Sequence, residues 1–431
     1  EIPKRDWSSD VCSSDLTRVP LIDLNRPLYN RPDLFPDALH PTTEGAGIIA
    51  RTVYGAITGD YGGLQMPEIF TDHMVMQRNR PVKFWGTADA ATKVTVCFAG
   101  KTSTAQTGHN GKWTVEFPPM KAGGPYNATI ENQGRSIRLT DILVGEVWIC
   151  SGQSNMAFRL QDASTAQKDI PRAANRQLRF FDMKEIAPTV AIEWNDNVLA
   201  EVNRLGYYRP AAWALSDSLT ARQFSAVAYY FGRMLQEELN VPIGLIQNAI
   251  GGSPTEAWID RRTMERDPLM ADFFTNWNSN DFIDGWVRER GMQNIARAKE
   301  NPLQQHPYKP SYLFEAGMAS ISKYPVAGAI WYQGESNANN VELHEQLLPI
   351  LVESWRNAWE ERFPFYYVQL SSMETGRESW GHFRDSQHRL MERIPRSGMV
   401  VSSDLGNRTD VHPRQKKEVG ERLARWAPAD S

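Results

Sequence analysis

Apolar positions change their spacing twice along this 431-residue chain. Between Leu21 and about Tyr61 a loop gives way to a helical repeat. In LFPDALHPTTEGAGIIARTVYGAI, Thr42 or Thr43 stands as N-cap, Glu44 lies in the first turn, and Ile48, Ile49, Val53 and Ile57 recur at helical spacing. From Leu64 to about Asp141 the period shortens. VKFWGTA, KVTVCFAG, GKWTVEF and SIRLTDI are short, alternating or β-rich segments, separated by the turn formers Asn110-Gly111, Gly123-Gly124-Pro125 and Gln133-Gly134. This spacing predicts a small antiparallel β-sandwich. From Val144 onward the apolar runs GEVWIC, VPIGLIQNAI, VAGAIWYQ, FPFYYVQL and SGMVVSSD alternate with helical patterns. The predicted helices cover Ser225 to Leu239 with Ser225 as N-cap, about 338–360, about 383–394, and about 413–426 with Pro413 in the first turn. Strands that are apolar throughout need cover on both faces. The predicted class is therefore α/β: an α/β/α sandwich with a parallel sheet, preceded by the small β-sandwich.

Ligands of such sheets bind beyond the C-terminal strand ends, and the polar motifs of this chain fall there. The first strand runs into Cys150-Ser151-Gly152-Gln153-Ser154-Asn155-Met156. A Ser at a strand-to-helix turn, after a small Gly, is exposed and surrounded by free backbone N–H groups that suit an oxyanion. The second strand ends in Ile250-Gly251-Gly252-Ser253, where paired glycines permit close backbone approach. The third ends in Gln333-Gly334-Glu335-Ser336-Asn337, whose Asn amide suits a second oxyanion donor. The last leads through Asp404 to Thr409-Asp410-Val411-His412-Pro413. With an ordinary pKa of roughly 6.5, His412 is mostly neutral at pH 7 and can act as base. Taken singly, each motif reads as a cap, a turn or a surface His. Taken together, a serine, amide donors and a His–carboxylate form an acyl-transfer set.

Composition narrows the alternatives. Hydrophobic residues make up 41% and charged residues 23%, and 47 basic against 51 acidic side chains leave a formal charge of −4. Nothing in that balance favours nucleic acid. No apolar run reaches the roughly 18–20 residues of a membrane helix, so no membrane insertion is expected. Three cysteines, far apart, define neither a disulfide framework nor a metal site. No glycine-rich phosphate loop is present. Fourteen Trp and fourteen Tyr offer flat faces for sugars or bulk for cores. Trp213 and Trp258 are candidates for sugar stacking, and Arg159 and Arg179 for an anionic substituent.

The strings GQSNM, GGS-x-x-EAW, QGESN and D-x-HP-x-x-K resemble those of the sialate O-acetylesterases, within the SGNH (GDSL-like) hydrolase superfamily. The resemblance covers Val144 to the end, and Met66–Asp141 resembles the accessory sandwich of that family. It implies Ser154 as nucleophile, His412 as base, and an oxyanion hole from the Ser154 N–H, Gly252 (or Gly251) and Asn337. It implies acetate release from O-acetylated sialic acid through an acyl-enzyme, without cofactor or metal, and export to the periplasm or beyond. Most of the superfamily carries the acid three residues before the His, but Thr409 stands there. Asp410 is the expected orienter, ahead of Glu335 and then Asp404; Glu335 and Gln333 are also candidate substrate contacts. An acetylesterase for xylan or another polysaccharide is the second expectation, and a non-catalytic carbohydrate-binding protein the third.

The expected boundaries are 1–16, 17–62, 63–142 and 143–431. Asp6–Leu16, DWSSDVCSSDL, resembles the in-frame translation of a sequencing-library adapter, and residues 1–16 lack the layout of a signal peptide. In that reading Cys12 is not natural. Asp37-Ala38-Leu39-His40-Pro41 resembles the last catalytic block of another SGNH domain. Residues 17–62 would then be a remnant with no serine to serve, carrying an exposed apolar helix face that favours disorder or aggregation.

Overall fold

The computed structural model describes residues 21–274 and 277–427. The expectations for residues 1–16, Cys12 included, lie outside the described residues. Two compact units divide the chain. One gathers residues 21–66, Phe84–Val115 and Thr129–Ile137, and the other Pro67–Lys83, Glu116–Ala128 and Arg138 onward.

In the first unit, helix α1 (Thr43–Thr58) starts where the Thr42 hydroxyl accepts the Gly45 N–H and stops at Gly59, whose φ of 77° closes the last turn. The chain after it is tied down: Gly59 O accepts the Ala90 N–H at 2.8 Å, and the Tyr61 hydroxyl donates to His109 O at 2.8 Å. Tyr54 and Ile57 of the helix remain exposed. Four short strands follow, β1 (Val82–Thr87), β2 (Lys93–Phe98), β3 (Lys101–Gln106) and β4 (Lys112–Phe117). β2 and β3 form an antiparallel hairpin in register from Lys93↔Gln106 to Phe98↔Lys101. Val94, Val96, Trp113 and Val115 alternate inward, as a period of two requires, and Phe84 meets Phe98 edge-on with centroids 5.3 Å apart.

The second unit is built on a seven-strand run of sheet. Its strands are β5 (Arg135–Gly152), β6 (Asn175–Asp182), β7 (Trp213–Ser216), β8 (Ile243–Ala249), β9 (Gly328–Tyr332), β10 (Phe365–Val368) and β11 (Ser397–Val400). They lie in the order β11-β10-β9-β5-β8-β6-β7. All neighbours are parallel except β7, which runs antiparallel on β6 at the edge. The sheet is thus mixed at one edge. β6 and β7 were not foreseen, because NRQLRFFD is interrupted by charge and WALS is too short to show a period.

Every residue of β8, β9 and β10 is buried, which requires helices on both faces. Trp148, Leu245, Ile330 and Tyr366 point to one face, where α2 (Ala226–Leu239) and α6 (Lys417–Ala424) cover them. Trp331 and Phe365 point to the other, where Trp355 of α4 (Val341–Ala358) packs edge-on against Trp331 at 5.7 Å. Between β8 and β9 a long excursion carries α3 (Gly285–Asn294), and α5 (Trp380–Arg393) joins β10 to β11. The last helix starts at Lys417, not near Pro413. Residues Pro413–Lys416 are irregular, because the Lys416 side chain is drawn into the interior there.

Candidate active site

The site forms at the C-terminal ends of β5, β8 and β9, where the chain leaves a crowded sheet. Gly152 ends β5 with a φ of 137°, and a Cβ on it would stand 2.2 Å from Tyr332 O. Only glycine fits that approach. Gln153 then donates its N–H to Tyr332 O at 3.0 Å, while its Oε1 accepts the N–H groups of Gly334 and Ser336, each at 3.3 Å. The residue before Ser154 therefore ties the end of β5 to the loop after β9. Ser154 opens a one-turn helix, Ser154–Ala157, and stays partly exposed.

His412 arrives from the loop after β11. Its Nε2 lies 2.8 Å from Ser154 Oγ. These two side chains are 258 positions apart in sequence. Asn155 reinforces the meeting: its Nδ2 donates to Val411 O at 3.0 Å and also to Glu335 Oε1, and its Oδ1 accepts from Lys416 Nζ. The neighbour of Ser154 thus holds the neighbour of His412.

The candidate acids part company. Asp410 Oδ1 accepts the His412 backbone N–H at 2.8 Å and lies 3.9 Å from the ring Nδ1, beyond a hydrogen bond. Glu335 is buried on Asn155, with Arg377 donating to its carbonyl at 2.6 Å. Asp404 is elsewhere on the surface, held bidentately by Arg422 at 2.8 and 2.6 Å.

Gly251 and Gly252 line the turn after β8. A Cβ on Gly251 would stand 3.9 Å from Ser154 Cβ, and Gly252 has a φ of 72° with its carbonyl accepting from Ser336 Oγ at 2.9 Å. Asn337 is buried behind this turn. Its Oδ1 accepts the Thr255 N–H at 2.9 Å and Gln333 Nε2 at 2.7 Å, and its Nδ2 donates to Glu256 Oε2 at 2.9 Å. Gln333 spends its own oxygen on the Thr255 hydroxyl at 2.7 Å. Gln333 thus braces the loop, with both ends of its amide occupied.

Electrostatics favour a neutral imidazole. Burial pulls the His412 pKa below its usual value, with Lys416 and Arg290 adding to the effect and Asp410 opposing it. Burial also brings the Lys416 ammonium down to about 7 and raises the Glu335 carboxyl, the two sharing Asn155 between them. Glu256, buried behind Asn337, is pushed up to about 7. Sequence reasoning assigned no role to Asn155, Glu256 or Lys416, although each lies within a quoted motif. Their types are ordinary, and only burial makes them unusual.

Four candidates are corrected by their surroundings. Trp258 is fully buried, donating to Ser253 Oγ at 2.9 Å, and Trp213 donates to Ile69 O at 2.9 Å inside the core. Arg179 is buried against Asp141 at 2.7 Å, and Arg159 pairs with Asp162 at 2.8 Å. The first three are held inside the protein, and Arg159 sits in a surface ion pair. Among the described residues no group of three or more His, Cys, Asp or Glu side chains could hold a metal ion, and no helix is long and apolar enough to cross a membrane.

Comparison with known proteins follows the same lines. A family model described as a carbohydrate esterase, sialic acid-specific acetylesterase, matches residues 289–428. The chain is 30% identical over 421 residues to the sialate O-acetylesterase of Rattus norvegicus, covering 87% of this chain and 74% of that one. It is 29% identical over 394 residues to the sialate O-acetylesterase of Homo sapiens, covering 84% and 70%. Among solved structures, a carbohydrate acetylesterase from Xanthomonas citri superposes with a TM-score of 0.66 at 28% identity, over 84% of this chain and 74% of its own. With similarity of that extent to the rat enzyme, and with this site at the strand ends, the chain belongs to the sialate O-acetylesterase family.

Proposed function

We propose that this protein is a serine esterase that removes O-acetyl groups from sialic acid through an acyl-enzyme. The observation that carries the reading is the 2.8 Å contact of Ser154 Oγ with His412 Nε2. His412 takes the Ser154 proton as the oxygen attacks the acetyl carbonyl. The negative charge that develops meets the N–H groups of Ser154 and Gly252 (or Gly251) and the Asn337 amide, which has two hydrogens and gives only one to Glu256. The imidazolium returns its proton to the departing sugar oxygen, leaving acetate on Ser154. Water, deprotonated by the same His412, then releases it. Asp410 steadies the imidazolium in this scheme. Its 3.9 Å separation is one that catalytic contacts in a ligand-free site commonly show before they tighten on substrate.

The same reading takes residues 17–62 as the last block of a second domain of this kind. The Asp37 carboxylate meets His40 Nδ1 at 2.7 Å there. It takes 63–142 as an accessory sandwich, 143–431 as the esterase, and export as its fate.

The test is acetate release from O-acetylated sialic acid and from acetylated xylan, measured side by side. Release from the sialic acid, lowered at least ~10³-fold by Ser154→Ala, is the expected result. Preference for xylan would move the substrate to a plant polysaccharide. Sugar binding without any release would leave a carbohydrate-binding protein.

A further inference from the structure

A sialic acid carries a carboxylate at neutral pH, and a site that selects it needs a cation with donors to spare. Arg159 and Arg179 are both committed elsewhere. Among the cations around Ser154 and His412, Lys416 is buried on Asn155, and Arg377 is bound to Glu335 O and faces Asp284 at 3.8 Å. Arg288, on the same helix as Arg290, pairs with Asp281 at 3.4 Å. Arg290 differs. It has no carboxylate partner among the described residues, and its Cζ lies 4.8 Å from the centre of the Trp286 ring, one turn earlier on α3.

Trp286 places that guanidinium beside the chemistry. Its Cη2 stands 3.3 Å from where a Cβ on Gly252 would be, so the ring abuts the turn next to Ser154. Tyr308 closes the same turn from below, donating to Gly251 O at 2.8 Å. Arg290 acts on His412 through its charge, and on Tyr308 through both its charge and a side-chain hydrogen bond. A guanidinium stacked on an aromatic face has its plane fixed, and with five N–H groups Arg290 can hold the Tyr308 hydroxyl and still present a pair to a carboxylate.

We infer that Arg290, braced on Trp286, binds the carboxylate of the acetylated acidic sugar and so sets the preference of the site for sialic acid over neutral sugars. This rests on the sialate reading above. The carboxylate would approach along the edge of α3 while the acetyl carbonyl lies between Ser154 and the Gly251–Gly252 turn.

The experiment compares O-acetylated sialic acid with its methyl ester, identical except for charge, in the unaltered protein, in Arg290→Gln and in Arg290→Lys. In the unaltered protein kcat/KM for the acid is expected to exceed that for the methyl ester by ~10-fold or more, and the excess to shrink as salt rises. Arg290→Gln is expected to bring the ratio toward one, and Arg290→Lys to restore part of it. Taking a ratio within each variant removes any loss from imperfect folding. A ratio near one in the unaltered protein overturns the inference without any variant, and so does a ratio that survives Arg290→Gln; in both cases hydrolysis of the two sialic acid substrates leaves the sialate reading standing. Hydrolysis of acetylated xylan with neither sialic acid substrate touched ends both together.

Discussion

The two nitrogens of His412 meet different surroundings. Nε2 is engaged with Ser154, while Nδ1 has only a distant Asp410 at 3.9 Å. The pair near the N-terminus shows what spacing does. With the acid three residues before the His, the Asp37 carboxylate reaches both the His40 N–H at 2.7 Å and Nδ1 at 2.7 Å. With the acid two residues before, Asp410 reaches the backbone N–H of His412 but falls short of the ring. Its charge still raises the imidazole pKa against burial. Asp410→Asn is therefore expected to lower kcat by ~10²-fold or more, and to lower it further than Glu335→Gln does. It should also move the acid limb of kcat/KM to lower pH, since a carboxylate that favours the imidazolium is gone and the base stays neutral further down. Steady-state kinetics across pH check both statements. A larger loss in Glu335→Gln would transfer the orienting role to Glu335, acting through Asn155 and the Val411 carbonyl. The motif strings made Ser154 and His412 legible. They could not rank the acids, because that depends on a side-chain direction a string does not contain.

Elements bring these residues within reach by crowding. β5 lies between β8 and β9 in parallel register, with Gly152 opposite Ala249 on one side and Tyr332 on the other. Its missing side chain lets the strand turn into Gln153 and Ser154. Gly152→Ala would put a methyl group 2.2 Å from Tyr332 O in a left-handed backbone, and is expected to cost about 3 kcal/mol or more. Urea unfolding checks this; a loss below about 1 kcal/mol would show that the turn relaxes freely. Strands apolar throughout, such as Ile243–Ala249, were legible in sequence because both faces are covered. Strand β7 was not, since its edge position relaxes the demand for unbroken apolar residues, and β6 was not, because Arg176, Arg179 and Asp182 break its apolar run. The irregular start of α6 was also hidden. Pro413 is a sound first-turn residue, but packing of the Lys416 side chain against Phe158 and Tyr332, at 4.8 and 5.3 Å, delays the helix to Lys417.

At the scale of the whole molecule, buried titratable groups set the response to pH. Burial pulls His306 and His344 down to about 3. His306 lies between Trp194 and Trp277, and neither ring nitrogen of His344 has a hydrogen-bond partner. Both rings are neutral when folded and take up protons when unfolded below about 6.5. Their contribution to stability is thus complete above 6.5 and lost progressively as pH falls toward 3. Between pH 7 and pH 5 each costs about 2 kcal/mol. Glu256 has the opposite sign: its carboxyl, raised to about 7, favours the folded state below about 4.5 and loses that effect as pH rises through 7. Replacing His344 with Leu is expected to shrink the difference in unfolding free energy between pH 7 and pH 5 by about 2 kcal/mol, and an unchanged difference would exclude His344 as a source.

By itself the sequence determined the class of the fold and the order of its central strands along the chain, and singled out Ser154 and His412, which the structure brings together. Each of these follows from local rules: apolar period, turn chemistry, and polar residues placed where a buried strand ends. Tertiary structure alone decided which polar residues meet. It drew Lys416, Asn155 and Glu335 into one buried network, placed Trp213, Trp258 and Arg179 in the core and Arg159 in a surface pair, and set Arg290 on Trp286 beside the site without a carboxylate partner among the described residues. The physical reason is that burial and charge pairing depend on neighbours tens to hundreds of positions away, which the period of a single segment does not encode.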